Sequence, residues 1–429
     1  MQSSGSLRVL LISHGLPPHD LGGVEQHVDG LARALLAAGH EVHVYAKTGR
    51  SDLPQGTRVD DPAHAYATTR VVYRYEHLAS LRDLYRQPVL DAAFDAFLSE
   101  RAFDVAHVHH LTGMSTGLVD VLRARGIPVV MTLHDYWSIC PRGQMWRSDG
   151  VACATVEPSR CATCLTPTFG GWLPDGRGAE VVAEMHADAV ATLSQVDRLV
   201  VPSERGLPPF LALGLDRERF SVVENGVDTV RLAHVPAVRP GRPLRVGYLG
   251  TVIPSKGLDV LVDAVRQLPI GSTTLAVHGN VVPYHGDATF ATRVLQRLTA
   301  ADRVTLHGPY GLDDLPRLLS QIDVLAAPAL WHETFGLTVR EALAAGRPVV
   351  VSRVGGLQDA VADGQQGFVV EPGDAGALAA ALGALLIDPG RLARMGEAAR
   401  RGARGFAEMA AEMIGVYRAV VSTRRPRDS

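Results

Sequence analysis

The chain has 429 residues, of which 46% are apolar, and its formal net charge is −3 at pH 7. This length predicts two domains with their own cores, and the charge argues against a protein that binds nucleic acid. The N-terminus is polar, and no apolar run reaches the roughly 18 residues that a membrane span requires. We therefore expect a cytoplasmic protein, with at most peripheral membrane contact.

The first half of the chain predicts alternating buried strands and helices. Leu7 to Ser13 is typical of a buried parallel strand, and Gly22-Gly23 opens the amphipathic helix that follows it. Bare backbone at this pair can approach a phosphate, although a tight turn explains two glycines equally well. Residues 48–70 are predicted to form an irregular excursion. A later strand ends at His134, where ligands of such sheets bind; a packing or capping role is the alternative.

All four cysteines, Cys140, Cys153, Cys161 and Cys164, fall within one insertion of 25 residues, 140–164, which is rich in turn-forming residues. A small loop without a core of its own requires a covalent or metal link, and a tetrahedral four-cysteine zinc site is the common one. The pattern therefore favours structural zinc. An iron–sulfur cluster, two disulfides and unligated thiols are the alternatives.

The alternation restarts beyond a segment rich in Pro, Arg and Gly between His234 and Pro243, which is predicted to be the interdomain linker. The strand Leu244 to Leu249 leads into a loop that contains Lys256. Only two of the 42 basic residues are lysines, so Lys256 is conspicuous. Its ammonium group, at a strand-to-helix junction, is suited to pair with a phosphate; a solvated surface charge is the alternative.

Residues 323–350 predict a strand, a loop, a helix and a second strand. Glu333 lies in the loop and Glu341 in the first two turns of the helix, which Phe335-Gly336-Leu337 opens. The free N–H groups and the dipole of a helix N-terminus favour a phosphate, and carboxylates accept hydrogen bonds from hydroxyl groups. The combination suggests a nucleotide-sugar site.

In this order and spacing, the motifs of the chain resemble those of the retaining glycosyltransferases of family 4. The resemblance is carried by Gly22-Gly23-Val24-Glu25, Asn225-Gly226-Val227-Asp228, Lys256-Gly257, Glu333-Thr334-Phe335-Gly336-Leu337, Glu341-Ala342, Gly355-Gly356 and Pro372-Gly373-Asp374. It implies an α/β protein of GT-B architecture, with two doubly wound Rossmann-like domains that face each other across a deep cleft. We expect an acceptor-side domain over residues 1–235, including the insertion and completed by a C-terminal helix at about 405–420. A nucleotide-sugar domain is expected over residues 236–404.

The resemblance also implies roles for individual residues. His134, near the reacting centre, and Glu333, on the donor sugar, would be the catalytic residues. The donor-binding residues would be Gly22 and Gly23 near the distal phosphate, Lys256 on the diphosphate, Glu341 on the ribose, and Phe335, Gly336 and Leu337 through main-chain contacts. Where the family usually has an arginine five residues before the lysine, this chain has Thr251, and Arg353 is a candidate replacement for that cation.

The activity implied is transfer of a hexosyl unit, with retention, from a UDP- or GDP-sugar to a hydroxyl group of a glycan, a lipid-linked glycan or a small natural product. No catalytic metal or other cofactor is expected for this chemistry. The alternatives on the same scaffold are a nucleotide-sugar-binding pseudo-transferase and a nucleotide-sugar epimerase.

Overall fold

Two sheets organise the chain, and each belongs to its own unit. The computed structural model describes residues 5–76, 78–238 and 241–424. One unit comprises the described residues up to Gly143, Ala154–Gly226 and those from Phe406 onward, and the other comprises Gln144–Cys153 and Val227–Gly405. The insertion 140–164, which we predicted to lie wholly in the first domain, is thus divided between the units.

The first unit also ends earlier than the predicted boundary at residue 235, because the chain after Gly226 is held by the second unit. The guanidinium group of Arg400 donates to the carbonyl oxygens of Ala233 and Val235, each at 2.8 Å. The composition of the linker indicates where regular structure ends, but it carries no information about such tertiary hydrogen bonds.

The first sheet has eight strands in the order β3-β4-β2-β1-β5-β6-β7-β8, all parallel except β3, which pairs antiparallel with β4. Its strands are β1 Arg8–Ser13, β2 Glu41–Thr48, β3 Arg58–Asp60, β4 Ala67–Val72, β5 Val105–Val108, β6 Val129–Thr132, β7 Arg198–Val201 and β8 Phe220–Val222. β1 pairs with β2 on one side and β5 on the other, so the direction of winding reverses beside β1. Ligands of doubly wound sheets bind at the carboxyl ends of the strands at such a point.

The second sheet has six parallel strands in the order β11-β10-β9-β12-β13-β14. Its strands are β9 Leu244–Leu249, β10 Thr273–His278, β11 Val304–Gly308, β12 Val324–Ala327, β13 Val349–Ser352 and β14 Gly367–Val370. This is the doubly wound order 3-2-1-4-5-6, and the winding reverses between β9 and β12. The loops that follow these two strands contain Lys256 and Glu333.

Fourteen α-helices occur among the described residues. They are α1 Gly23–Ala37, α2 Pro88–Ser99, α3 Gly117–Ala124, α4 Pro158–Phe169, α5 Gly178–Gln195, α6 Pro208–Leu211, α7 Thr229–Leu232, α8 Leu258–Arg266, α9 Phe290–Gln296, α10 Leu315–Gln321, α11 Leu337–Ala344, α12 Ala375–Ile387, α13 Pro389–Arg401 and α14 Phe406–Arg424. Within the described part of the chain, no single helix is long and apolar enough to cross a membrane. Taken together, α12 and α13 have the length and composition of a membrane span, but the chain bends by 104° between them.

Each sheet has its own core. In the first unit, Met409, Met413 and Tyr417 of α14 share one buried cluster with Leu31 and Leu35 of α1, so the C-terminal helix completes this core. In the second unit, the apolar face of α8 and most of the apolar residues of α12 are buried with the inward side chains of β9, β10 and β12. Burying each large apolar side chain stabilises the fold by about 1.5–3 kcal/mol.

Two segments differ from the sequence-based expectation. Residues 48–70 do not form an irregular excursion: they contain β3 and the start of β4, whose Thr and Val residues suit a strand beside β2. Within the insertion, α4 begins at Pro158, and the side chain of Glu157 accepts from the N–H groups of Ser159 and Arg160. A capping carboxylate followed by proline at the first helical position is a signal for the start of a helix. We predicted a loop here and missed this signal.

Candidate functional site

At the point where the second sheet reverses its winding, Lys256 and Glu333 form an ion pair. Lys256 Nζ donates to Glu333 Oε2 at 2.5 Å, and the two side chains are 27% and 14% exposed. Lys256 Nζ also lies 5.1 Å from the ring centroid of Trp331, within the range of a cation–π interaction. The structure thus brings together two residues that the sequence predicted for one site, in a place where an α/β sheet binds ligands.

The loop that carries Glu333 is held by close backbone contacts on both sides. A Cβ atom on Gly257 would overlap the carbonyl oxygen of Pro328, and one on Gly355 would overlap that of Glu333. The N–H of Gly356 donates to the Glu333 carbonyl oxygen at 2.7 Å. Only residues without a side chain permit this approach, so the glycines next to β9 and β13 position the loop after β12.

Phe335 and Gly336 lead from this loop into α11. Gly336 has φ of 79°, a left-handed conformation that favours glycine, and the helix begins at Leu337. The N–H groups of the first turn have no partner within a helix, so they are suited to an anion. Arg340, which the sequence analysis missed, donates to the carbonyl oxygens of Phe335 and Gly356 and stacks 3.6 Å from the Phe335 ring centroid. It is a positioning residue for this turn.

Glu341 lies on α11 and is 7% exposed. Burial raises the pKa of its carboxyl group to about 7; the positive charge of Arg231 opposes this shift, and the carboxylate of Asp228 reinforces it. At neutral pH the group therefore exists in both protonation states, so it can accept a hydrogen bond from a hydroxyl group or donate one to it.

Two further predicted donor residues, Thr251 and Arg353, lie in different surroundings. Thr251 is in the loop after β9, where its carbonyl oxygen accepts from the hydroxyl group of Tyr248 at 2.9 Å. Arg353 follows β13 and pairs with Glu371 at 2.7 Å, and both side chains are about half exposed or more. The structure therefore gives Arg353 a surface partner, and its use as a substitute phosphate cation stays a prediction.

In the first unit, His134 belongs to a cluster of histidines at the carboxyl ends of β1, β5 and β6. His109 Nδ1 and His134 Nε2 are 3.2 Å apart, and the ring of His27 on α1 lies 4.6 Å from that of His134. His107 is hydrogen-bonded through both nitrogens, to Thr132 and to Tyr417, each at 2.7 Å. Burial lowers the pKa of His134 and of its neighbours His107 and His109 well below the usual value, so these rings are neutral near pH 7.

Two carboxylates border the histidine cluster, and each has a histidine partner. Thr112 N–H donates to His110 Nδ1 at 3.0 Å, so the proton of His110 lies on Nε2 and faces Asp135 at 3.2 Å. His14 Nε2 lies 3.0 Å from Glu25 at the start of α1. Burial would raise the pKa of Glu25, but the hydrogen bond and the charge of His14 outweigh it and lower the pKa.

Gly22 and Gly23, the predicted phosphate contact, lie directly at this helix start. The carboxylate of Glu25 fills the space where a Cβ atom of Gly22 would be. The N-terminus of α1 therefore has an anionic side chain of its own beside it, and contact with a distal phosphate stays a prediction.

The four cysteines are all partly buried, and Cys161 packs against the small core of α4 and α5. Among the described residues, only His27, His109 and His134 form a group of three or more histidine, cysteine or carboxylate side chains with donor atoms within 4.8 Å of one another. The cysteines, of which Cys153 belongs to the second unit, form no such group, so structural zinc stays a prediction.

A pocket beside the cluster is lined by His134 and by several residues that the sequence did not predict for the site. Its walls include His110, Leu111, Met131, His134, Trp137 and Leu193. Trp137 lies three residues after His134, so its position near the end of a strand was the only sequence signal that it could line a site. Leu193 on α5 and Met131 on β6 are indistinguishable in sequence from core residues.

Comparison with known proteins places two family models on consecutive parts of the chain. Glycosyltransferase Family 4 matches residues 21–231, and Glycosyl transferases group 1 matches residues 233–402. A D-inositol 3-phosphate glycosyltransferase from Xylanimonas cellulosilytica is 32% identical, over 95% of this chain and 94% of its own length.

Solved structures show the same fold. Sucrose-phosphate synthase from Thermosynechococcus elongatus matches with a TM-score of 0.71 and 22% identity, over 97% of this chain and 100% of that chain. HepE from Anabaena in complex with UDP-glucose matches with a TM-score of 0.67 and 18% identity, over 96% of this chain and 100% of that chain. The predicted GT-B architecture with two Rossmann-like domains is therefore confirmed.

The raised pKa of Glu341 predicts a specific pH dependence of stability. Between the pKa of the unfolded chain, near 4.5, and about 7 in the folded protein, the folded state binds more protons, so stability falls as pH rises. Glu341→Gln should remove this loss and raise the free energy of unfolding by up to about 3 kcal/mol at pH 8, with much less effect at pH 5. Denaturant unfolding at both pH values measures it.

Glu397→Gln on the exposed side of α13 is the matched control, with the same chemical change and no burial. Equal shifts for both variants, or a Glu341→Gln effect that does not depend on pH, would contradict the assigned pKa.

The backbone approach at Gly356 predicts a steric effect. Its Cβ atom in Gly356→Ala would overlap the Thr334 carbonyl oxygen and lie 3.0 Å from Phe335 Cα, so the loop has to shift. We expect a loss of about 1–3 kcal/mol in the free energy of unfolding. Gly383→Ala in α12, where the nearest atom to the new Cβ is Leu268 Cδ2 at 3.6 Å, should be neutral or stabilising. Equal stability of the two variants would show that the approach does not constrain the loop.

Proposed function

The chain belongs to family 4 of the glycosyltransferases, and from this premise we propose that it transfers a hexosyl unit from a UDP- or GDP-sugar to a hydroxyl acceptor with retention of configuration. As a glycosyltransferase of this family, it uses a nucleotide-sugar donor. The observation that carries the proposal is the Lys256–Glu333 pair, 2.5 Å apart at the carboxyl ends of β9 and β12. An ammonium group suits a diphosphate, and a carboxylate suits sugar hydroxyls.

Donor binding exchanges the partners of this pair. The diphosphate takes Lys256 as its counter-ion, and the released Glu333 accepts hydrogen bonds from the hexose. The first turn of α11, which begins at Leu337, offers N–H groups to the same anion. Glu341 binds the ribose hydroxyls, for which its pKa of about 7 supplies both an acceptor and a donor form. Phe335 and Gly336 contribute main-chain contacts to the donor.

In the transfer step, the bond between the anomeric carbon and the diphosphate oxygen breaks while the acceptor hydroxyl attacks from the same face. The acceptor proton goes to the departing phosphate oxygen. Lys256 and the α11 N-terminus stabilise the negative charge that develops on the leaving group, so this step requires no metal ion. By the family resemblance, His134 is proposed to orient the sugar.

The acceptor is proposed to bind in the first unit, in the pocket between His134, Trp137 and Leu193. A mixed lining of imidazole, carboxylate and apolar groups suits a polyol or a sugar ring, which presents both hydroxyls and C–H surfaces. The relative from Xylanimonas is named for D-inositol 3-phosphate, and this name supports a small hydroxylated acceptor.

Activity measurements on variants test the residue roles. Lys256→Met, Glu333→Gln and His134→Ala should each lower kcat/KM by about 10²–10⁴-fold, because each removes a group that contacts the reacting part of the donor. The assay follows release of nucleoside diphosphate with a panel of UDP- and GDP-hexoses and acceptors that include D-inositol 3-phosphate. Arg394→Met, at an exposed site of α13, is the control and should retain activity.

The same assay separates the classes of function. Release of nucleoside diphosphate only when an acceptor is present supports a transferase. Binding of the nucleotide-sugar without release would indicate a pseudo-transferase. Conversion of the donor sugar into another sugar, without an acceptor, would indicate an epimerase. NMR of the product should show the anomeric configuration of the donor. An inverted product would contradict retention, and full activity of all three site variants would contradict the site.

Structural zinc on Cys140, Cys153, Cys161 and Cys164 is proposed separately, from the clustering of all four cysteines in one insertion. Elemental analysis of the protein, purified without added metal, should find one zinc per chain that depends on Cys161 and Cys164. Metal-free protein with four titratable thiols would contradict the proposal, and metal-free protein with none would indicate disulfides.

A further inference from the structure

Three histidines of the first unit form a compact group of neutral donors, here called the three-histidine cluster: His27, His109 and His134. One ring nitrogen of each lies within 4.8 Å of those of the other two. His27 comes from α1, His109 from the end of β5 and His134 from the end of β6, so three separate elements supply one donor each. His27 is 4% exposed and His109 is 1% exposed.

Three buried ring nitrogens of His27 and His109 are not satisfied by the described part of the protein. Both ring nitrogens of His27, and Nε2 of His109, have no hydrogen-bond partner among the described atoms. A neutral imidazole carries one N–H and one lone pair, and leaving either buried without a partner is unfavourable. The neighbouring His107 shows the contrast, because both of its nitrogens are hydrogen-bonded. The orphaned lone pairs therefore point to a ligand.

The spacing of the donors matches a metal ion. His109 Nδ1 and His134 Nε2, which are hydrogen-bonded to each other, are 3.2 Å apart, and an ion between them would replace this hydrogen bond. Two imidazole nitrogens on one tetrahedral Zn²⁺, with Zn–N distances of about 2.0–2.1 Å, are separated by about 3.3 Å. The rings of His27 lie 5.1 Å and 4.6 Å from those of His109 and His134, close enough for the third nitrogen to complete the set after a small side-chain rotation.

The surrounding charges favour a cation. The carboxylates of Glu25 and Asp135 are paired with His14 and His110, whose ring centroids lie 4.5 Å apart with the rings tilted by 56°. A divalent ion placed among neutral imidazoles gains from two nearby negative groups.

We propose that the three-histidine cluster binds a divalent transition-metal ion of the zinc type, with an open fourth coordination position. Three neutral imidazoles suit Zn²⁺ and the chemically similar Co²⁺, and they offer no oxygen ligand of the kind that Mg²⁺ or Ca²⁺ prefers. This site is separate from the four cysteines, since it has no thiolate.

A functional consequence rests on the proposed function. If His134 contacts the donor sugar, a metal ion that ligates His134 withdraws it from the sugar, so the metal inhibits transfer reversibly. The zinc-type ion is thus a regulator of the transferase and takes no part in its chemistry.

The test is titration of the metal-free full-length protein with Co²⁺, followed by absorption spectroscopy. Any Co²⁺ at the proposed cysteine site adds a near-ultraviolet charge-transfer band from its thiolate ligands, and the double variant Cys161→Ser, Cys164→Ser removes that site. In this double variant we expect one Co²⁺ per chain to remain, with visible d–d bands and without the thiolate band. His27→Leu removes one ligand and should weaken this binding by at least about 10–100-fold, the loss that follows removal of a residue that only supports a ligand. His234→Ala, on the exposed surface of the second unit, is the matched control and should bind as the wild type does.

Loss of all visible bands in the double variant Cys161→Ser, Cys164→Ser, or remaining visible bands that His27→Leu leaves unchanged, would overturn the proposal. If His27→Leu does not fold, as judged by circular dichroism, His27→Gln replaces it. The spectrum of the double variant Cys161→Ser, Cys164→Ser shows in any case whether imidazoles bind the ion without thiolates. The binding result does not depend on transferase activity, so it stands or fails separately from the proposed function.

The regulatory role is tested in an active preparation. Zn²⁺ should inhibit the wild type, and a chelator should restore its activity, whereas His27→Leu should not be inhibited. Zinc inhibition equal in both would overturn the regulatory role.

Discussion

The candidate donor site depends on one steric constraint, the close approach of three backbone segments at the carboxyl ends of β9, β12 and β13. Gly257 lies against Pro328, and Gly355-Gly356 lies against the peptides of Glu333 and Thr334. Side chains larger than hydrogen would push these loops apart. Sequence motifs that are far apart in the chain are therefore one physical unit: the glycines set the backbone, and the backbone aims the Lys256 and Glu333 side chains.

The ion pair at this site explains how a donor site remains stable without a donor. Lys256 and Glu333 are both partly buried, and each would be unfavourable there without an opposite charge. Their pairing satisfies both groups in the free protein. A nucleotide-sugar has a dianionic diphosphate for one partner and hydroxyls for the other, so in our account it replaces both interactions at once. A ligand with only one of these features would offer a new partner to Lys256 or to Glu333, but not to both.

The sequence predicted the elements whose signal is local. The bounds of β9 agree with the predicted strand, because an apolar run flanked by Pro and Gly marks a buried parallel strand. It missed β4, whose Thr-rich segment becomes a strand only by pairing with β2. It also missed the role of Arg340 and the partners of His134, since tertiary packing alone brings His27 and His109 beside it. The division of the insertion between two units likewise follows from contacts that composition does not encode.

The most direct test of the account is calorimetry of donor fragments on the wild type and on Glu333→Gln. The account predicts that Glu333→Gln binds the free nucleoside diphosphate as tightly as the wild type or more tightly, because Lys256 is released from its partner. The same variant should bind the intact nucleotide-sugar more weakly than the wild type, because the contact with the hexose is impaired. An equal loss of affinity for both ligands, or no change for either, would contradict the division of roles between Lys256 and Glu333.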